Sequence, residues 1–206
     1  GKNICVFISK AENPKVIGTI EFDDSFDLSK AKLNLTERAL SALENEIYAL
    51  RQKALMVIDD FAIFKSYEDM SFNLIPLIGK KENKVYVLTG PKKNGVVVFG
   101  NDYLITFDKK NNVKSAKALH KNIIPIEFGQ NENGETSMHT HLPETGDFIT
   151  ATDICTLMLY GKFTGWKQHH VASKKYLSIW NIASNTLFVM KMDAVKKIAN
   201  DKNENK

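Results

Sequence analysis

A chain of 206 residues, 43% hydrophobic and 25% charged, can bury an ordinary core without disulfide staples and has the make-up of a globular protein. Its net charge of +4 is spread along the chain, and the densest basic pairs, Lys92-Lys93, Lys109-Lys110 and Lys174-Lys175, fall beside Asn and Gly where turns are expected; without a basic stripe interleaved with aromatics, no nucleic-acid partner is expected. Two cysteines, Cys5 and Cys155, support neither a disulfide framework nor a cysteine metal motif, and no run approaches the roughly 18 apolar residues that span a membrane.

In chain order, Asn3 to Ser9 and Lys15 to Phe22 alternate or run apolar between Asn-Pro and Asp-Asp, which predicts two short strands forming an opening hairpin or extension over residues 1–28. Asn34 followed by Glu37 resembles a capping box. Behind it Leu40, Leu43, Ile47, Leu50, Ala54, Val57 and Phe61 recur at steps of three and four, the signature of a long amphipathic helix with one core face. Strands are then expected at Leu74 to Ile78, Val85 to Leu88, Val96 to Phe99 and Tyr103 to Phe107, each followed by a turn cue. Close consecutive strands of this kind pair antiparallel, because a parallel return needs a crossover. Ile123 to Phe128 and Thr136 to His141 are expected to continue that sheet across the Gln130 to Gly134 turn. A helix opening at Thr150 follows, then strands at Gln168 to Ala172, Tyr176 to Ile182 and Thr186 to Met190, and a closing helix over Asp193 to Ala199. The Lys/Asn/Asp-rich residues 200–206 read as a disordered tail. The predicted class is α+β: a long helix packed on a curved, mainly antiparallel sheet, with a second helix after the strand that ends at His141, the main domain covering 29–199. The chain opens at Gly1 without a methionine, as it would if its true N-terminus had been removed, so export is neither supported nor excluded.

The chemistry-bearing stretch is His139-Thr140-His141, followed by Leu142 to Ile149 and then Thr150-Ala151-Thr152-Asp153. On a strand, alternation points His139 and His141 to one face, where two imidazoles can share an ion. An Asp in the first turn of the next helix can swing back as a third ligand. Three protein ligands and one open position describe a catalytic zinc site, and two imidazoles with one carboxylate suit zinc. Each part has a plainer reading: H-x-H can sit idle on a strand edge, and T-x-x-D at a helix start is what an N-terminal cap looks like. His169 and His170 alternate on their strand, so at most one can face the site, and His120 has no partner visible in the sequence.

These residues resemble the JAB/MPN (JAMM) metalloprotease-like domains, whose pattern is H-x-H-P, a spacer, and S-x-x-D, with a Glu well upstream. The wording Phe148-Ile149-Thr150-Ala151-Thr152-Asp153-Ile154 is similar to that of bacterial members found in secreted and toxin-associated proteins. Pro143 lies one residue late, the spacer is one residue longer, and Thr150 stands for Ser; one insertion at Leu142 accounts for the first two departures. The resemblance implies the cytidine deaminase-like fold of JAB/MPN domains, a Zn²⁺ ion held by His139, His141 and Asp153, an oxyanion-holding hydroxyl from Thr150, and a carboxylate base acting on water. It also implies hydrolysis of an amide or isopeptide bond in a peptide or protein substrate. The family's Glu has no clean counterpart. Aligning the Gly79 that ends the comparable stretch puts Phe72 at the Glu position, which leaves Glu68 as the candidate, with Glu82 and Glu127 as alternatives. A catalytically inactive JAB-like binding module, and a toxin-like nuclease or deaminase using His139 as general base, are the competing functions.

Overall fold

The computed structural model describes residues 3–129 and 136–204; the turn expected at Gln130 to Gly134 lies outside them, as do tail residues 205 and 206. The chain divides into two compact units, residues 1–52 and 53–206. The first holds β1 (Asn3–Ile8), β2 (Val16–Phe22) and β3 (Lys32–Asn34) in an antiparallel sheet of order β1-β2-β3. The opening hairpin is as expected, but β3 is not foreseen: K-L-N is too short and exposed to show any alternation.

A long helix, α1 (Ala42–Asp60), begins in the first unit and ends in the second. Of the predicted apolar stripe, Leu50, Ala54 and Val57 are buried, whereas Leu43 and Phe61 at its ends are exposed. The start of α1 differs from expectation. Asn34 belongs to β3 and its side chain accepts from the Thr36 amide at 2.9 Å, a local turn. The cap is instead reciprocal between Ser41 and Glu44: the Ser41 amide donates to Glu44 Oε2 (2.7 Å) and the Glu44 amide donates to Ser41 Oγ (3.3 Å). Arg38 adds a two-pronged contact, each nitrogen 2.7 Å from a Glu44 oxygen, and this guanidinium, with the Ser41 amide, holds the Glu44 carboxyl down at about 2.

In the second unit β4 (Met70–Leu77), β5 (Asn83–Pro91), β6 (Val96–Gly100), β7 (Tyr103–Phe107), β8 (Val113–Ala118), β9 (Ile123–Glu127) and β10 (Thr136–Thr140) follow in turn, then α2 (Ala151–Tyr160), β11 (Gln168–Ala172), β12 (Tyr176–Asn181), β13 (Thr186–Lys191) and α3 (Met192–Glu204). Among the described residues the fold is α+β with three α-helices, and every strand pairing except β10 with β11 is antiparallel. β8, V-K-S-A-K-A, escapes a reading by pattern because it is almost wholly exposed and poor in strand-forming residues. α3 runs on to Glu204, well past the expected Ala199.

The expectation that β9 and β10 continue one sheet is corrected. β9 pairs with β6, and β10 lies at the edge of a separate sheet of order β10-β11-β12-β13. The close-neighbour rule applies to strands joined by tight turns. β10 finds its partner across a helix instead: α2 is the crossover that returns the chain parallel, placing Ser137 beside His169 and His139 beside Val171. The alternating burial of β10 and β11 turns Ser137, His139, His169 and Val171 inward. Val97, Phe99, Leu157, Trp166, Val171 and Trp180 form the core under this face. β6, V-V-V-F-G, is buried along its whole length, as a run without alternation should be.

Candidate metal centre

Thr150 is the N-cap of α2. Its hydroxyl accepts from the Asp153 amide (3.1 Å), while its own amide and hydroxyl donate to Asp153 Oδ2 at 2.8 and 2.6 Å. The plain capping reading of T-x-x-D is therefore true. It also fixes the carboxylate: Oδ2, held by Thr150, lies 3.2 Å from His141 Nε2, and Oδ1 lies 3.8 Å from His139 Nε2 and 4.0 Å from His120 Nε2. Asp153 is almost fully buried (1% exposed), yet its carboxyl sits at about 2: burial pushes it up, but the His141 contact, the neighbouring His139 and the two Thr150 donors outweigh that.

The imidazoles are oriented from behind. His141 Nδ1 donates to the Phe148 carbonyl at 2.9 Å, so in the neutral ring the lone pair is on Nε2, the atom that faces His139 Nε2 (3.1 Å) and Asp153 Oδ2 (3.2 Å). Behind His139, Nδ1 meets His169 Nε2 at 2.8 Å, and His169 Nδ1 meets Ser137 Oγ at 2.7 Å. This chain can run in two directions. Donated from Ser137 inward, it puts a hydrogen on His139 Nε2, aimed at His141. Donated outward, from His139 Nδ1 through His169 to Ser137, it leaves Nε2 free on both histidines. Phe99 covers the pair, stacked on His169 at 4.6 Å and 16° and tilted against His139 at 4.8 Å. Burial holds His139 down at about 4 and His169 at about 3, so both are neutral rings near neutrality.

Metal–ligand bonds of about 2.05 Å at tetrahedral angles put donor atoms about 3.3 Å apart. His139 Nε2 and His141 Nε2 lie 3.1 Å apart and His141 Nε2 lies 3.2 Å from Asp153 Oδ2, close to that spacing, while His139 Nε2 stands 3.8 Å from the other oxygen, Oδ1. A second set overlaps with this one and does not include His139: donor atoms of His120, His141 and Asp153 all lie within 4.8 Å of one another, a cluster that could hold a metal ion. The cavity in front measures about 40 Å³ and is lined by Phe99, His120, His139, His141, Thr145 and Asp153 among others. That is room for an ion and a water. At its rim Lys121 pairs with Glu144 at 2.9 Å.

The structure thus brings together His139, His141, Asp153 and, behind the carboxylate, Thr150. It does not bring Glu68 to the cavity. That residue is exposed in the turn before β4, with its carbonyl taken by Lys92 Nζ at 3.3 Å. Glu82 is ion-paired to Lys114 (2.8 Å) and Glu127 is exposed on β9. The residues that sequence reasoning left without a role are His120 and Asp102. A signal for them exists in the β7–β8 hairpin, whose register pairs Tyr103 with Ala118 and so sets Asp102 against the residues that follow β8.

Comparison of the chain with family models, with curated proteins and with solved structures gives no match in any of the three. No helix among the described residues is long and apolar enough to cross a membrane.

Proposed function

We propose that the chain is a JAB/MPN-like domain, with α1 packed on its sheet, that binds Zn²⁺ through His139, His141 and Asp153 and hydrolyses an amide or isopeptide bond of a peptide-like substrate. The observation that carries the reading is the meeting of two imidazole Nε2 atoms and a buried carboxylate at 3.1 to 3.8 Å, each donor already oriented from behind. A neutral His141 presents a lone pair to a carboxylate oxygen 3.2 Å away, a contact that calls for a proton or a cation between them.

Zinc bound there supplies Lewis acidity toward a carbonyl oxygen and toward water. The chain's own groups do the rest. Thr150 holds Asp153 in place, its hydroxyl proton spent on that carboxylate rather than aimed into the cavity. Phe148 O and the His169–Ser137 pair hold the two imidazoles from behind, in the orientation that would turn their Nε2 atoms to an ion. Phe99 keeps bulk water from their inner side.

One observation favours a second reading, a metal-holding JAB-like module without hydrolytic activity: among the described residues Asp153 is the only carboxylate lining the cavity, and none of them stands ready as a second acid to serve as the base. A nuclease or deaminase with His139 as base is disfavoured, because a ring held at about 4 is a weak base near neutrality. The test is metal content and turnover measured together. Purified protein is expected to carry close to one equivalent of zinc, lost in His139→Ala, and to cleave an isopeptide-linked or peptide substrate in a chelator-sensitive way. Zinc uptake without cleavage selects the module, and indifference to both zinc and chelator overturns the metal reading itself.

A further inference from the structure

We propose that His120 is a fourth protein ligand of this centre and that Asp102 holds it for that role. The inference rests on reading the cavity as a metal centre and adds to the H-x-H and T-x-x-D set a donor that the pattern does not contain. The His120 side chain is 8% exposed, and both of its ring nitrogens are buried without a well-made hydrogen bond, an isolated cost in a region where the other imidazoles are oriented by partners. Its Nε2 faces Asp153 Oδ1 at 4.0 Å, and its Nδ1 lies 3.3 Å from Asp102 Oδ2. A hydrogen on Nδ1 directed at that carboxylate leaves the Nε2 lone pair toward the ion, the carboxylate–histidine–metal arrangement.

Asp102 is built to stay where it is. It is 2% exposed, its Oδ1 accepts the Thr89 amide at 2.9 Å, and its neighbour Asn101 is tied to Lys65, Thr89 and Tyr103. The loop carrying His120 is clamped to the same corner: the Leu119 amide donates to Asp102 O (2.8 Å) and the Asn101 amide to Asn122 O (3.0 Å). Gly100 makes the clamp possible. Its φ is +79°, and a Cβ there would fall 2.2 Å from Asn122 O, so any other residue would force the His120 loop away.

With His120 added to His139, His141 and Asp153, a bound zinc would have four protein donors, the complement of a closed site, which favours the metal-holding module over the hydrolase. Cadmium-113 loaded into uniformly ¹⁵N-labelled protein distinguishes the cases without any substitution: one-bond coupling to three imidazole nitrogens is expected, one of them in His120. Coupling to two, from His139 and His141 alone, overturns the role of His120 while leaving the metal centre standing; no uptake of cadmium or zinc overturns the metal centre too. Zinc titrations give the second readout. His120→Ala is expected to weaken zinc at least tenfold and Asp102→Asn by about 10–100-fold. Unchanged affinity in a folded His120→Ala, beside lost binding in His141→Ala, rejects the fourth ligand.

Discussion

The starts of α1 and α2 carry the same local device with different results. Ser41-Leu43-Glu44 and Thr150-Thr152-Asp153 mark two reciprocal capping boxes, each pairing a hydroxyl residue with the acid three positions on. At α1 both oxygens of the acid go to Arg38, half exposed to solvent, and the motif ends there. At α2 only one oxygen is held by the cap, and the sheet in front supplies imidazoles instead of a guanidinium. A capping acid becomes a candidate ligand through what the rest of the fold sets against its carboxylate: His141 faces the capped oxygen and His139 the other.

Deleting the two acids should separate the two helix starts most. Asp153→Ala, which removes the buried cap of α2 and leaves its donors unpaired, should cost about 1–3 kcal/mol in urea unfolding and remove zinc binding, whereas Glu44→Ala at a largely solvent-facing pair should cost about 1 kcal/mol or less. Zinc sharpens the difference. At a hundredfold excess over its dissociation constant it should stabilise the wild type by about 2.7 kcal/mol. A chelator should reverse this; the increment should persist in Glu44→Ala and vanish in Asp153→Ala. Removing the capping hydroxyls is gentler: Thr150→Val and Ser41→Ala should each cost about 1 kcal/mol, but only Thr150→Val should weaken zinc, by about tenfold, as followed by competition with a chelating dye.

The smallest expected effect is in pH. His139 and His169 are held at about 4 and about 3, below the ordinary 6.5, so the unfolded chain takes up protons that the folded one refuses. Stability of the metal-free protein should fall as pH drops from 6.5 toward 4, with His169→Phe flattening that limb. Glu44, at about 2 against 4.5, acts lower: its contribution is present above 4.5 and fades as pH falls toward 2, and Glu44→Gln should trim that limb alone. Unfolding midpoints measured across this range separate the two windows.

The H-x-H strand, the helix opening at Thr150 and the facing of one residue of His169-His170 toward the site could be read from period and punctuation, because all three are local. His169 turns inward and His170 does not, as alternation requires. The parallel pairing of β10 with β11 was not legible, since it depends on where a crossover helix lands. His120 and Asp102 were hidden for a related reason. They meet across the ends of the β7–β8 hairpin, whose register shifts at Thr106 and Phe107, and β8 has almost no strand signature of its own. The Ser41–Glu44 cap was masked by Asn34 and Glu37, which satisfy the same spacing rule but lie on β3 and in the turn beyond it.

Phe99 has a bearing on which cation the cavity can accept. Magnesium, the most plentiful divalent ion in any cell, keeps several waters when it binds and favours oxygen donors. A phenyl ring 4.8 Å from His139, in a cavity of about 40 Å³, offers no hydrogen bonds to such a hydration shell and little room for it. An ion that sheds its water readily in exchange for nitrogen donors meets no such obstacle. Were an ion bound as proposed, the aromatic wall would disfavour one that keeps its hydration shell by the cost of dehydration, before any difference in ligand strength came into play.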